Sequence, residues 1–238
     1  MKILTDLHCH TSACSHAYST IGEYVEEAKS IGLELIAITD HGPDMADAPY
    51  PWHFMCMHVI PRCYKGIYVL RGAEANILDY DGGLDLDQGC LKRLDWVIAS
   101  LHAVCIKPGT REQNTNAVIG AIKNEFVDVI GHIGNPHYEV DYDRITDAAA
   151  TYNKIIEVNN HSFNPNSGRG GSAENCERVI RLCMEKNIRV TVSSDAHFAA
   201  LLGRFDSAME LLEKAAFPEE LILNTNAEKV LEYVDNKL

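Results

Sequence analysis

No long apolar run occurs anywhere in the chain. The first twenty residues carry Asp6, His8, His10 and His16 without an uninterrupted hydrophobic stretch. No later window supplies the roughly 20 apolar residues of a membrane helix. The expectation is a cytoplasmic protein with no membrane partner. Basic clusters are also missing. The 21 Lys and Arg stand against 34 Asp and Glu, a formal net charge of −13, which excludes gripping nucleic acid by the general surface, because that mode needs basic stripes to displace counterions. An anionic substrate remains compatible with this charge if positive charge is concentrated locally, and bound metal ions are the strongest local source. No linker or low-complexity tract interrupts the chain, so residues 1–238 read as one domain. Cysteine is not scarce. Without a secretion signal, however, the eight cysteines read as reduced thiols rather than four disulfides, with Cys176 and Cys183 on one core-facing helix side.

Seven short runs rich in apolar and β-branched residues end in polar ones, around 3–8, 33–39, 67–73, 95–101, 127–131, 155–158 and 188–194. Stretches such as "LIAIT", "DWVIAS" and "VTVSS" are continuous rather than alternating, as in parallel strands covered on both faces. Between them lie helical patterns. Thr20 to Glu23 is a capping box opening a helix that Gly32 stops, and further helices are expected near 114–125, 143–153, 172–186, 206–215 and 225–237. Successive strand ends are 28 to 35 residues apart, the length of one βα unit. Seven such units imply an α/β fold, a seven-stranded parallel (β/α)7 barrel one unit short of the common eight; the fold alternative is an open doubly wound sheet. Residues 42–66 form a longer excursion.

The stretch "DLHCHTSACSH", 6–16, opens the functional argument. His8 and His10 lie two apart at the end of a strand-like run, so they share a face while Cys9 points away. In a parallel barrel the carboxyl ends of the strands face one mouth. Six of the seven ends carry metal-ligand types: His8 and His10, His41 in "ITDHG", Glu74 in "RGAEAN", His102 in "SLHA", His132 in "GHIGNPH", and Asp195 with His197 in "SSDAH". His16 can return to the same mouth. Seven imidazoles and two carboxylates exceed one ion's needs and suit a cluster of two or three, of zinc, iron or manganese. The remaining histidines, His53, His58, His137 and His161, read as solvating, capping or substrate-facing.

Together "DLHCHT", "AITDHG", "GAEANI", "GHIGNPH" and "SSDAH" resemble the polymerase and histidinol phosphatase (PHP) superfamily, and "HAYSTIGEY" with "DHGPDMADAPYPWHF" resembles its YcdX-like phosphatase branch. The resemblance implies a distorted seven-stranded, TIM-like barrel, a trinuclear site most suited to zinc, hydrolysis of phosphate esters, and homo-oligomers, trimers in this branch. Carried over by position, it implies a first ion on His8, His10, Glu74 and Asp195. A second would sit on Glu74, His102 and His132, and a third on His16, His41 and His197, with Glu74 bridging.

Such a site would take a small phosphorylated substrate and attack it with a metal-bridging hydroxide, with no side-chain nucleophile. Asp6, two before His8, and Asp40, next to His41, are placed to fix imidazole tautomers. The glycine-rich "NSGRGGS" could cradle phosphate, with Arg169 adding a fork. The excursion reads as a wall or lid, or as an extra covering helix. Two competing functions are an amidohydrolase-type enzyme, which would need a bridging lysine where no strand end carries one, and a non-catalytic metal-binding module.

Overall fold

The computed structural model describes residues 2–237. Strands β1 (Thr5–Cys9), β2 (Leu35–Ile38), β4 (Ile67–Asn76), β5 (Trp96–Ser100), β6 (Val129–Ile130), β7 (Ile155–Asn159) and β8 (Val190–Ser193) are parallel and follow one another in that order around the sheet. The two-residue strand β3 (Cys63–Tyr64) pairs antiparallel with β4. Bridging of Cys9 to Ala196 brings β1 back beside the end of β8, which leaves a nearly closed barrel. The strands are continuous apolar runs because both of their faces are covered. Helices α1 (Ile21–Ile31), α4 (Arg111–Lys123), α5 (Tyr142–Thr151), α6 (Ser172–Glu185) and α7 (Asp206–Lys214) accompany the strands. The Thr20–Glu23 capping box forms as read, and Gly32 closes α1 in the left-handed conformation at φ 78°.

Two spans depart from the regular βα pattern. After β2 the excursion contributes only α2 (Trp52–Cys56), a short 3-10 turn and β3, and between β4 and β5 there is a single turn, α3 (Gln88–Leu91). The excursion starts beside the barrel mouth, buries Phe54 and Met57 in the main core, and reaches α8 (Ala227–Asn236) through an Arg62–Asp235 ion pair. It thus stands where a full helix would otherwise cover β2 and β4.

Two apolar clusters hold the molecule together. The larger lies between the strands and their helices and includes Cys9, Ile36, Ile38, Val69, Val97, Cys183 and Val192. The smaller fills the lower barrel with Leu7, Leu35, Leu70, Trp96, Ile98, Val129 and Ile155, and α8 plugs it with Ala227, Val230 and Val234. Above this floor the inward positions turn polar.

Candidate metal centre

A bulge in β1 decides which way the first histidines point. Asp6 pairs with Ile36 and Cys9 with Ile38, so three steps on β1 oppose two on β2. The extra residue leaves Leu7 in the barrel floor and His8 in the site. Cys9 faces outward as its spacing predicts, with its Sγ donating to the Ala37 carbonyl. Asp6 does not share the face of His8. Its carboxylate instead accepts the Ser194 and Gly203 amides, at 3.1 and 2.9 Å, and ties β1 to the chain beyond β8. At the end of β6, Gly131 leaves no room for a side chain, since a Cβ there would lie 2.1 Å from Ser100 Oγ. His132 (φ 24°) and Asp195 (φ 55°) both have positive φ, backbone strain of the kind that concentrates at functional positions.

The side chains converge on Glu74. Its Oε2 lies 3.2 Å from His8 Nε2, 3.5 Å from His10 Nε2 and 2.8 Å from His41 Nδ1. Its Oε1 lies 2.9 Å from His132 Nε2 and 3.3 Å from His102 Nε2. Asp195 Oδ1 stands 3.6 Å from His8 Nε2 and 3.2 Å from His10 Nε2. At the rim His16 Nε2 faces His197 Nε2 across 3.0 Å. All nine positions named from sequence therefore meet at one mouth. His41 lies between groups: its ligand atoms cluster with Glu74 and His102 on one side, and with His10 and His197 on the other.

This donor set fits cations. His8 Nε2, His10 Nδ1, His41 Nδ1, His102 Nε2 and Glu74 Oε2 are buried without a hydrogen-bond partner. Buried polar atoms in natural proteins are nearly always satisfied; of these five, all but His10 Nδ1, whose ring presents Nε2 to Glu74, converge on the Glu74 carboxylate, a donor set suited to metal cations. Burial works against the charge of Glu74, but His102, His8 and His41 outweigh it and hold the carboxyl well below the usual range. Asp195 is likewise held low, by His8, His10 and Arg169, against the effect of burial. Burial, with Arg169 nearby, keeps His132 at about 4, a neutral ring.

The ring-orienting partners are not the two aspartates expected. Glu157, buried on β7, takes His8 Nδ1 at 2.6 Å, the His132 amide at 2.7 Å and Ser193 Oγ at 2.5 Å. Asn76 Oδ1 takes His102 Nδ1 at 2.7 Å, and the Asp195 carbonyl takes His197 Nδ1 at 3.0 Å. Asp47 takes His16 Nδ1 at 2.5 Å. Asp40 reaches His53 Nε2 at 3.1 Å, together with the Thr11 amide and hydroxyl, rather than His41. Sequence reasoning missed Glu157, Asp47 and Asn76. For Glu157 a signal was present: a carboxylate inside the apolar run "IIEVN" has to be paired if that strand is buried.

The mouth opens into a cavity of about 360 Å³ lined by His16, His41, Met45, His102, His161, Arg169, Asp195, His197 and Leu201. Arg169 Nη1 donates to Asp195 Oδ2 at 3.1 Å and lies 3.4 Å from Asn159 Oδ1 and Ser162 Oγ. His161, read from sequence as solvating, capping or substrate-facing, lines this cavity. A larger hollow of about 530 Å³ opens around Asp128, Lys154 and Lys237, among residues of α8 and the strand starts. The convergent donors lie around the smaller one.

Fold and site together define a barrel protein with a cluster of metal-ligand side chains at the carboxyl ends of its strands. The chain belongs to the PHP family: the PHP domain model matches residues 6–167 and the PHP-associated model residues 173–221. It is 47% identical over 237 residues to a protein of Acetivibrio thermocellus named "Probable phosphatase", covering 100% of this chain and 97% of that one. It is also 48% identical over 238 residues to "Probable phosphatase TTE1963" of Caldanaerobacter subterraneus subsp. tengcongensis, covering 100% and 93%. Among solved structures, histidinol phosphate phosphatase of Lactococcus lactis subsp. lactis, complexed with zinc, L-histidinol and phosphate, shares the fold. Its TM-score is 0.62 at 17% identity, over 92% of this chain and 95% of that one.

Proposed function

We propose that the protein is a metal-dependent phosphatase that hydrolyses small phosphate monoesters at a trinuclear centre. The convergence of unpartnered buried nitrogens on the two oxygens of Glu74 carries this reading. His8, His10, Glu74 and Asp195 would hold one ion, Glu74, His102 and His132 a second, and His16, His41 and His197 a third, with zinc the first choice and iron or manganese also suited. Divalent ions held there would acidify water into a nucleophile near neutral pH and neutralise charge on the departing oxygen.

The chain's own groups set up the rest. Two carboxylates against three divalent charges leave a positive mouth on an acidic protein, which favours a phosphate dianion. Arg169 Nη1 stands at the cavity edge against Asp195 and can turn a second nitrogen toward phosphate oxygens. Among the described residues no serine, threonine or cysteine lines the cavity, in keeping with direct attack by water. A cytoplasmic location belongs to the same reading, supported by eight unpaired cysteines. The test is elemental analysis beside a phosphomonoesterase assay before and after chelation, followed by one turnover in oxygen-labelled water. Three ions per chain, activity that leaves and returns with them, and label in the released phosphate are expected. Trapping of a covalent phosphoenzyme would refute the mechanism, and bound ions without phosphate release would refute the activity.

A further inference from the structure

We propose that Asp47 and the 42–66 excursion act as a clamp that assembles the rim ion subsite by holding His16, so that this subsite fills and empties independently of the two buried ones. The inference rests on the three-ion reading above and adds to it which part of the chain controls the third ion.

The ligands divide into two mechanical classes. His8, His10, Glu74, His132 and Asp195 are buried at strand ends, where the barrel fixes them. His16 belongs to the loop between β1 and α1, and its side chain is 42% exposed. Its ring stacks on His41 and its Nε2 faces His197, but among the described residues neither of these engages its Nδ1. The Asp47 carboxylate does so: the same Oδ2 takes His16 Nδ1 at 2.5 Å, the His16 amide at 3.1 Å and the Ser15 hydroxyl at 3.1 Å, while the Ser15 amide donates to the Asp47 carbonyl at 3.1 Å. With Nδ1 engaged by a carboxylate, Nε2 keeps its lone pair and faces His197 Nε2. This is the carboxylate–histidine arrangement that fixes tautomer and raises ligand basicity.

The excursion is pinned to the same loop a second time. Asp40 accepts the Thr11 amide at 2.6 Å and the Thr11 hydroxyl at 2.8 Å on one side, and His53 Nε2 at 3.1 Å on the other. Loop and excursion are therefore joined to each other through Asp47 and Asp40. The Glu157 bonds that orient His8 lie inside the barrel and are independent of this junction. Solvent reaches the clamp, since the Asp47 side chain is 30% exposed, so water competes with the His16 contact and the rim subsite is the one that can open.

The test uses the full chain stripped of metal and reloaded with zinc, with elemental analysis and titration against a chromogenic chelator, on wild type, Asp47→Asn and Asp47→Ala. In the wild type one of three ions is expected to leave first. In both variants that ion should bind roughly 10–100-fold more weakly, with the other two unchanged. Should Asp47→Ala fail to fold, Asp47→Asn carries the test alone. Three ions retained at unchanged affinity in Asp47→Asn would overturn the clamp and leave the three-ion reading standing. Weakening of all three ions together would also overturn it, because Asp47 would then be supporting the whole fold. A wild type holding fewer than three ions overturns the underlying reading and the clamp with it.

Discussion

Replacing Glu157 by Gln should loosen the buried ions although Glu157 touches none of their proposed positions. Its Oε1 takes His8 Nδ1 at 2.6 Å and Ser193 Oγ at 2.5 Å, and its Oε2 takes the His132 amide at 2.7 Å. An amide of the same shape can satisfy only part of this. If its oxygen stays on the His8 side, its NH2 group opposes the His132 N–H, a buried donor against a donor. If it flips, NH2 donates to His8 Nδ1, the ring proton moves to Nε2, and the lone pair aimed at Glu74 and Asp195 is lost. The first outcome costs about 1–3 kcal/mol for the unpaired donor. The second removes a ligand outright. Loss of such an orienting partner typically weakens metal binding about 10–100-fold, or roughly 1.4–2.8 kcal/mol. Chelator competition should therefore show weaker binding of the ions on His8 and His132. The stripped protein should melt roughly 4–8 °C lower, taking about 2 kcal/mol and the shift usual for a chain of this size. Affinity and melting point both unchanged would refute the claim that Glu157 sets the His8 tautomer.

Glu74→Gln should remove the bridge between the two buried groups, reduce bound metal by at least one ion per chain, and lower phosphatase turnover by about 100-fold or more; elemental analysis and steady-state rates check both. Arg169→Ala should raise KM for a phosphomonoester about tenfold with a smaller effect on kcat, and an unchanged KM would remove Arg169 from substrate binding. Asp95 forms a two-pronged pair with Arg71 at 2.7 and 3.0 Å. Burial alone would raise its carboxyl, but the Arg71 bonds hold it below the ordinary value. A depressed folded pKa stabilises above the unfolded value near about 4 and is lost as pH falls through the folded one. Asp95→Asn should accordingly cost about 1–3 kcal/mol at pH 7 and flatten the acid limb of a stability–pH curve followed by urea melts.

What could be read from sequence, and what could not, divides along the range of the interactions. The strand runs, the Thr20–Glu23 box and the ligand types at strand ends are local patterns, and the helices end within a few residues of their expected limits. The placement of Asp6 fails for one local reason, the bulge between Asp6 and Cys9, which breaks the period of two on which the shared face depended. Asp40 fails differently: being next to His41 in sequence does not bring its side chain to the His41 ring. The carboxylates that do orient rings, Asp47 and Glu157, are 31 and 149 residues from the His16 and His8 they hold. Asp47 sits in a loop whose path no periodicity encodes.

The division between floor and mouth explains how the chain tolerates a centre crowded with unsatisfied nitrogens. Two buried carboxylates and a ring of imidazoles would be costly if folding depended on them. Yet the barrel floor from Leu7 to Trp96 and the helix-facing core are apolar and continuous without any ligand residue. Glu157 is the point of contact between the two regimes. It lies on the strand whose Ile155 helps build the floor, and its carboxylate reaches up to His8 and His132. His8 carries the clearest mark of this arrangement: burial disfavours its charge, but Glu157, Glu74 and Asp195 outweigh that and hold its pKa well above the histidine range in the ion-free chain. A proton on that ring neutralises part of the carboxylate charge until a cation displaces it, so loading should release protons and bind more weakly as pH falls. Calorimetric titration of the stripped chain with zinc in two buffers of different ionisation enthalpy would read that proton directly, and a loading heat independent of buffer would refute the exchange.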